Sequence, residues 1–114
     1  MKFLVTYVQS SKTPPTPEHM AAIEKFSKDL AASGALLMTG GLQRPTNGTQ
    51  IKLAAGKFTA TDGPFAETKE LIDGFALVQT KSREEAIELA RRFMKVAGDG
   101  EGEILQVYDG APGE

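Results

Sequence analysis

The residues of this chain best suited to chemistry cluster between positions 61 and 70, which read Thr-Asp-Gly-Pro-Phe-Ala-Glu-Thr-Lys-Glu. Asp62, Glu67 and Glu70 supply carboxylates, which can orient a base or share its proton, and Lys69 supplies an ammonium that can neutralise a carboxylate or phenolate. Asp62-Gly63 signals a tight turn, because Asp bonds its own backbone and Gly accepts positive φ. Pro64 fixes its own φ and turns Gly63 away from the helical region. Phe65 is a large apolar group on a loop and needs something to pack against. The stretch reads either as a rigid turn with a solvated charge run or as a loop that closes over a pocket.

Other candidates are thinner. Gly40-Gly41 could present backbone N–H groups to an anionic substrate, although such a pair is more often only a bulge. Arg44 could neutralise an anion, though an exposed Arg is usually a surface charge. His19 is the single histidine and there is no cysteine, so a zinc site of His or Cys type cannot be assembled within one chain. There is no Walker-type phosphate loop and no G-x-G-x-x-G. The glycines at 98, 100 and 102 follow a helical pattern instead of opening one, so they are not a dinucleotide motif. No metal and no other cofactor is expected. Tyr7 and Tyr108 fall on strands and read as core or rim.

The 114 residues are enough for one core and too few for two, with a single domain expected over 1–110 and a frayed tail at 111–114. A formal net charge of −2 argues against a nucleic-acid binder that works by phosphate neutralisation. The apolar run Phe3-Leu4-Val5 ends too early for a signal peptide, and no stretch approaches a membrane span. A cytoplasmic protein without a membrane or nucleic-acid partner is the default expectation.

The elements that must position these groups follow from pattern. Lys2 to Gln9 reads as a strand with Phe3, Val5 and Tyr7 on one face and Leu4, Thr6 and Val8 on the other, both largely apolar. A helix follows, with Thr16 as N-cap, Pro17 at the first helical position, Met20, Ile23, Phe26 or Ser27 and Leu30 at helical spacing, and Gly34 as its stop. Ala35 to Leu42 reads as a strand that breaks at Gly40-Gly41. Arg44 to Gly48 is turn chemistry, with Asn47-Gly48 a strong hairpin signal. Thr49 to Ala54 and Lys57 to Thr61 read as two short strands around Ala55-Gly56.

A strand then lies within Leu71 to Thr80, and Ser82-Arg83-Glu84-Glu85 is a capping box that opens a second helix ending at Gly98. Asp99 to Gly102 reads as a Gly-rich turn and Glu103 to Tyr108 as the last strand. The order β-α-β, hairpin, β-α-β is the split βαβ, ferredoxin-like α+β arrangement, an antiparallel sheet with two helices on one face. Yet strand 1, the Phe75 strand and the Ile104 strand are apolar on both faces. The uncovered face is therefore expected to pack sheet to sheet on a second copy, giving a homodimer.

Residues 61–70, followed by Gly74-Phe75-Ala76-Leu77, resemble the DGPF-motif branch of the YCII-related family. Strand 1, Pro17-Glu18-His19-Met20 and Gly40-Gly41 are similar to it as well, so the resemblance covers nearly the whole chain. It implies the dimeric α/β-barrel superfamily, in which two ferredoxin-like subunits pack their sheets face to face and enclose a cleft. It also implies His19 as the acid–base residue, because in the wider family a histidine opens helix 1. Counted from Thr16, His19 is the third helical residue, where the helix dipole favours the uncharged ring.

A base is normally oriented by a further group. Some relatives offer an Asp just after strand 1, but here that region reads Gln9-Ser10-Ser11. Asp62, Glu67 or Glu70 would then supply the carboxylate from the loop, or Ser10 and Ser11 would act as weaker partners. The superfamily includes muconolactone isomerases, a dehydrochlorinase and cofactor-free monooxygenases. This implies acid–base chemistry on a small aromatic or anionic metabolite, with Gly40, Gly41, Arg44, Phe65, Lys69 and Glu70 around it. The association of the branch with extracytoplasmic-function sigma factors implies an alternative, a non-catalytic regulatory module. An enzyme should carry His19 and a carboxylate in a preformed cavity. A module should turn them to solvent and expose an apolar patch on its helices.

Overall fold

The structure, a computed structural model, describes residues 1–10, 16–42, 48–63 and 72–108. Its centre is strand β1 (Lys2–Gln9), whose alternation sends Phe3, Val5 and Tyr7 to one face. Along one edge β1 pairs with β5 (Gly74–Gln79), Phe3 opposite Val78 and Val5 opposite Ala76. Along the other edge it pairs with β7 (Ile104–Val107) at its start and with the two-residue β6 (Gly100–Glu101) at its end. Strand β2 (Leu36–Gly41) completes the sheet beyond β5, and every ladder is antiparallel.

Helices α1 (Pro17–Ala32) and α2 (Arg83–Ala97) form the second layer. Phe3, Val78 and Ala86 make the buried cluster between the layers, with Leu36, Leu89 and Ile104 packed against it. This is the ferredoxin-like α+β fold that the element order implies.

Local chemistry sets the helix ends. Thr16 Oγ1 accepts the His19 N–H at 3.1 Å, and Pro17 enters the first turn where no N–H is needed. At the other end Ala35 N–H reaches the Leu30 carbonyl and Gly34 N–H the Ala31 carbonyl, the paired bonds of a Schellman motif. Gly34 sits at φ +83°, which that motif requires and which a Cβ would oppose. In α2, Ser82 Oγ accepts the Glu85 N–H at 3.2 Å, while the Glu85 carboxylate takes the Lys81 N–H at 3.2 Å. The reciprocal half of the capping box thus lands one residue earlier than the motif has it.

Two details depart from the sequence reading. Gly40 and Gly41 stay inside β2, opposite Phe75 and Gly74, and the irregularity falls instead between Leu36 and Met38. The glycine pair serves close approach: a Cβ on Gly40 would lie 3.1 Å from Phe75 Cε1. The Gly-rich turn at 99–102 also contains a strand, because Gly100 and Gly102 lie directly against Tyr7, Val8 and Thr6, where no side chain fits.

The hairpin β3 (Thr49–Ala54) and β4 (Lys57–Asp62) is a two-stranded sheet of its own, closed at its base by Gly63 N–H to the Gly48 carbonyl at 2.8 Å. Its two-residue turn places Ala55 at φ +50° and Gly56 at φ +78°, the signs of a type I′ turn. The Asn47-Gly48 signal lies at the edge of the described residues, with Asn47 beyond them.

Candidate functional site

A cavity of about 350 Å³ lies between the helices and the sheet, toward the C-terminal end of β1. Its body is apolar, drawing Ile23 and Leu30 from α1, Val5 from β1, and Leu89 and Phe93 from α2. One end is polar, with Tyr7, Gln9, His19 and Asp73 on its wall. A mostly apolar concavity with a few convergent polar groups is the usual form of a small-molecule site.

Each polar group is held by the fold. The N-cap at Thr16 fixes the first turn of α1 and so the direction in which His19 leaves it. The His19 ring approaches the end of α2, where a Cβ on Gly98 would stand 3.8 Å from His19 Cε1. Its Nε2 is shut off from solvent and has no hydrogen-bond partner among the described residues. A buried polar atom left unpaired costs about 1–3 kcal/mol, so this nitrogen calls for a partner.

Asp73 precedes β5 and is fastened on three sides. Its carboxylate accepts the Gln9 N–H at 2.7 Å, its own N–H reaches the Tyr7 carbonyl at 2.8 Å, and its carbonyl takes the Leu42 N–H at 2.8 Å. The ends of β1, β2 and β5 therefore meet at this residue. Tyr7 donates its hydroxyl to the Gly98 carbonyl at 2.9 Å, with the Asp99 carbonyl at 3.2 Å, which ties β1 to the exit of α2. Its ring meets Phe93 edge-on at 5.3 Å. Burial, then the negative charges of Asp73 and Asp99, push the Tyr7 hydroxyl above its usual value and keep it a neutral donor.

Of the residues singled out from sequence, His19, Gly40 and Gly41 come together on this one wall. Asp62 stands elsewhere, at the root of the hairpin, where it accepts the Thr49 hydroxyl at 2.7 Å. Glu67, Arg44, Phe65, Lys69 and Glu70 lie outside the described residues. Among the described residues, the carboxylate that shares the cavity with His19 is Asp73, which sequence reasoning passed over. Its signal was available only in pairing: an antiparallel β1 and β5 put the residue before β5 beside the residue that ends β1.

The layers and the strand order define a ferredoxin-like α+β domain with a mostly apolar cavity between its helices and its sheet. Residues 1–109 match the YCII-related domain, and the chain belongs to the YCII-related family. It is 36% identical over 75 residues to an uncharacterized protein, R00369, of Rhizobium meliloti (strain 1021). That match covers 60% of this chain and 60% of the relative's own length.

Proposed function

We propose that the cavity binds a small metabolite with an aromatic or other apolar body, and that His19 acts there as the acid–base residue without metal or nucleotide. The observation that carries this reading is the buried Nε2 of the chain's single histidine, on the wall of an apolar cavity and without a hydrogen-bond partner among the described residues. A ligand hydroxyl or enol directed at that nitrogen supplies the missing hydrogen bond, and the same contact is the geometry of proton transfer. Among the described residues, Asp73 is the carboxylate best placed to bias the site electrostatically, since the fold fixes it in the same wall. The motif at 61–70 supports placement in the DGPF-motif branch. The free face of the sheet, with Met38 60% and Leu105 49% exposed, supports a homodimer packed sheet to sheet.

The regulatory-module alternative, linked to extracytoplasmic-function sigma factors, expects His19 to face solvent. A half-buried His19 on a cavity wall favours the small-molecule reading.

One histidine gives one imidazole signal, so titration with small phenols and enols can be followed at His19 alone by NMR. Ligands that bind should move that signal, and His19→Ala should lower turnover of any substrate found by about 10²–10⁴ while leaving the fold intact. Binding that leaves the His19 resonance untouched would count against the reading.

A further inference from the structure

The hairpin carries a pattern that the rest of the chain does not use. Thr49, Ile51 and Leu53 share a face with their partners Asp62, Ala60 and Phe58, while Gln50, Lys52, Lys57, Thr59 and Thr61 take the other. Alternation of this kind marks a sheet with one face covered. Yet Ile51, Leu53 and Phe58 are 71%, 71% and 63% exposed, and Leu53 and Phe58 stand directly opposite each other. A lone two-stranded hairpin is at best marginally stable in water, and an open apolar strand pair invites aggregation. The hairpin also shares no ladder with the main sheet, in a chain whose radius of gyration is 16.1 Å where a compact chain of this length has about 13 Å.

We propose that residues 49–62 form an arm whose Ile51-Leu53-Phe58 face docks on a second copy of the chain, each copy receiving the arm of the other. This rests on the homodimer proposed above and goes beyond its sheet-to-sheet contact. Area argues for it. The free sheet face is four strands wide and about six residues long, which spans roughly 400 Å² in projection. Side-chain relief raises the accessible area of this face above its projection, yet one face of this size stays modest beside the ~800 Å² of accessible surface per partner that a stable interface buries. The arm's apolar face, two strands by six residues, adds about 200 Å², and reciprocal exchange adds as much again where the partner's arm lands. One dimer then covers the two apolar faces that a single copy leaves open.

Wild-type protein is compared with Leu53→Asp/Phe58→Asp and with Thr59→Asp on the opposite face, by sedimentation across nanomolar to micromolar concentration. The apolar-face variant should weaken the dimer by about 100-fold or more, the size of losing hot-spot contacts in both copies, and Thr59→Asp should leave it unchanged. Amide exchange of residues 49–62 in wild-type protein, which needs no variant, should slow as concentration drives dimerisation. A dimer of unchanged affinity in the apolar-face variant overturns the arm and leaves the sheet-to-sheet reading standing. A wild-type monomer whose arm is already protected overturns both and assigns the face to another part of the same chain. Ligand effects at His19 are read separately and do not depend on either outcome.

Discussion

Gly100→Ala tests one of the tight contacts that seat β6 on the end of β1. Strand β6 lies so close to the end of β1 that a Cβ on Gly100 would press on the Tyr7 ring, 2.8 Å from Tyr7 Cζ, and on the Val8 carbonyl oxygen. Neither neighbour can yield easily. The Tyr7 ring is held by Phe93 at 5.3 Å and by its hydroxyl on the Gly98 carbonyl, and the Val8 oxygen is backbone of the central strand. The Asp99–Glu101 segment must therefore lift away. Overpacking of this kind costs about 1–3 kcal/mol, and losing one or two of the backbone bonds that seat β6 costs about 1 kcal/mol each.

A total of about 3 kcal/mol follows for Gly100→Ala. With roughly 2.1 cal/mol/K of unfolding entropy per residue over 114 residues, that is a fall in Tm of about 12 °C. Denaturant unfolding should show a lower midpoint with an unchanged slope. Gly41→Ala is the control, because its Cβ would meet only the Asp73 carbonyl at an ordinary 3.9 Å, and it should stay within about 0.5 kcal/mol of wild type. If Gly100→Ala unfolds with the wild-type midpoint, the close seating of β6 on Tyr7 is wrong.

Three further outcomes are expected. Ala55→Gly should stabilise the protein by about 1 kcal/mol in denaturant unfolding, because the turn holds Ala55 at φ +50° where a Cβ is disfavoured; a loss of stability would show that the turn is not built this way. Ser82→Ala should cost about 1 kcal/mol by removing the cap on Glu85 N–H, and Ser82→Gly only a few tenths, so equal losses in both would argue against the cap. Tyr7 is raised above its reference of 10.0 by burial, Asp73 and Asp99, so the fold prefers the neutral phenol. Its contribution is complete below that reference and is lost as pH rises through the folded value. Melts above pH 10 should therefore fall more steeply for wild type than for Tyr7→Phe, and parallel profiles would contradict the assignment.

Local residue pattern is enough to specify every element except β6, and the order in which they follow. Thr16, Pro17 and Gly34 bound α1, and Ser82 opens α2, because capping is decided by groups within four residues of one another. Alternation in β1 and in the hairpin likewise follows from side-chain period alone. It also placed His19 in a helix first turn, where the structure has it.

Tertiary structure decided what those elements enclose. Asp73 reaches Gln9 across 64 positions, and Tyr7 reaches Gly98 across 91, contacts that no local rule contains. The same holds for β6: Gly100-Glu101 is a strand only because β1 offers it an edge, and its glycines look like turn residues until Tyr7 and Thr6 are seen against them. Strand pairing brings residues far apart in the chain to one end of β1. A site assembled there is set by register and packing, which a single sequence encodes only collectively.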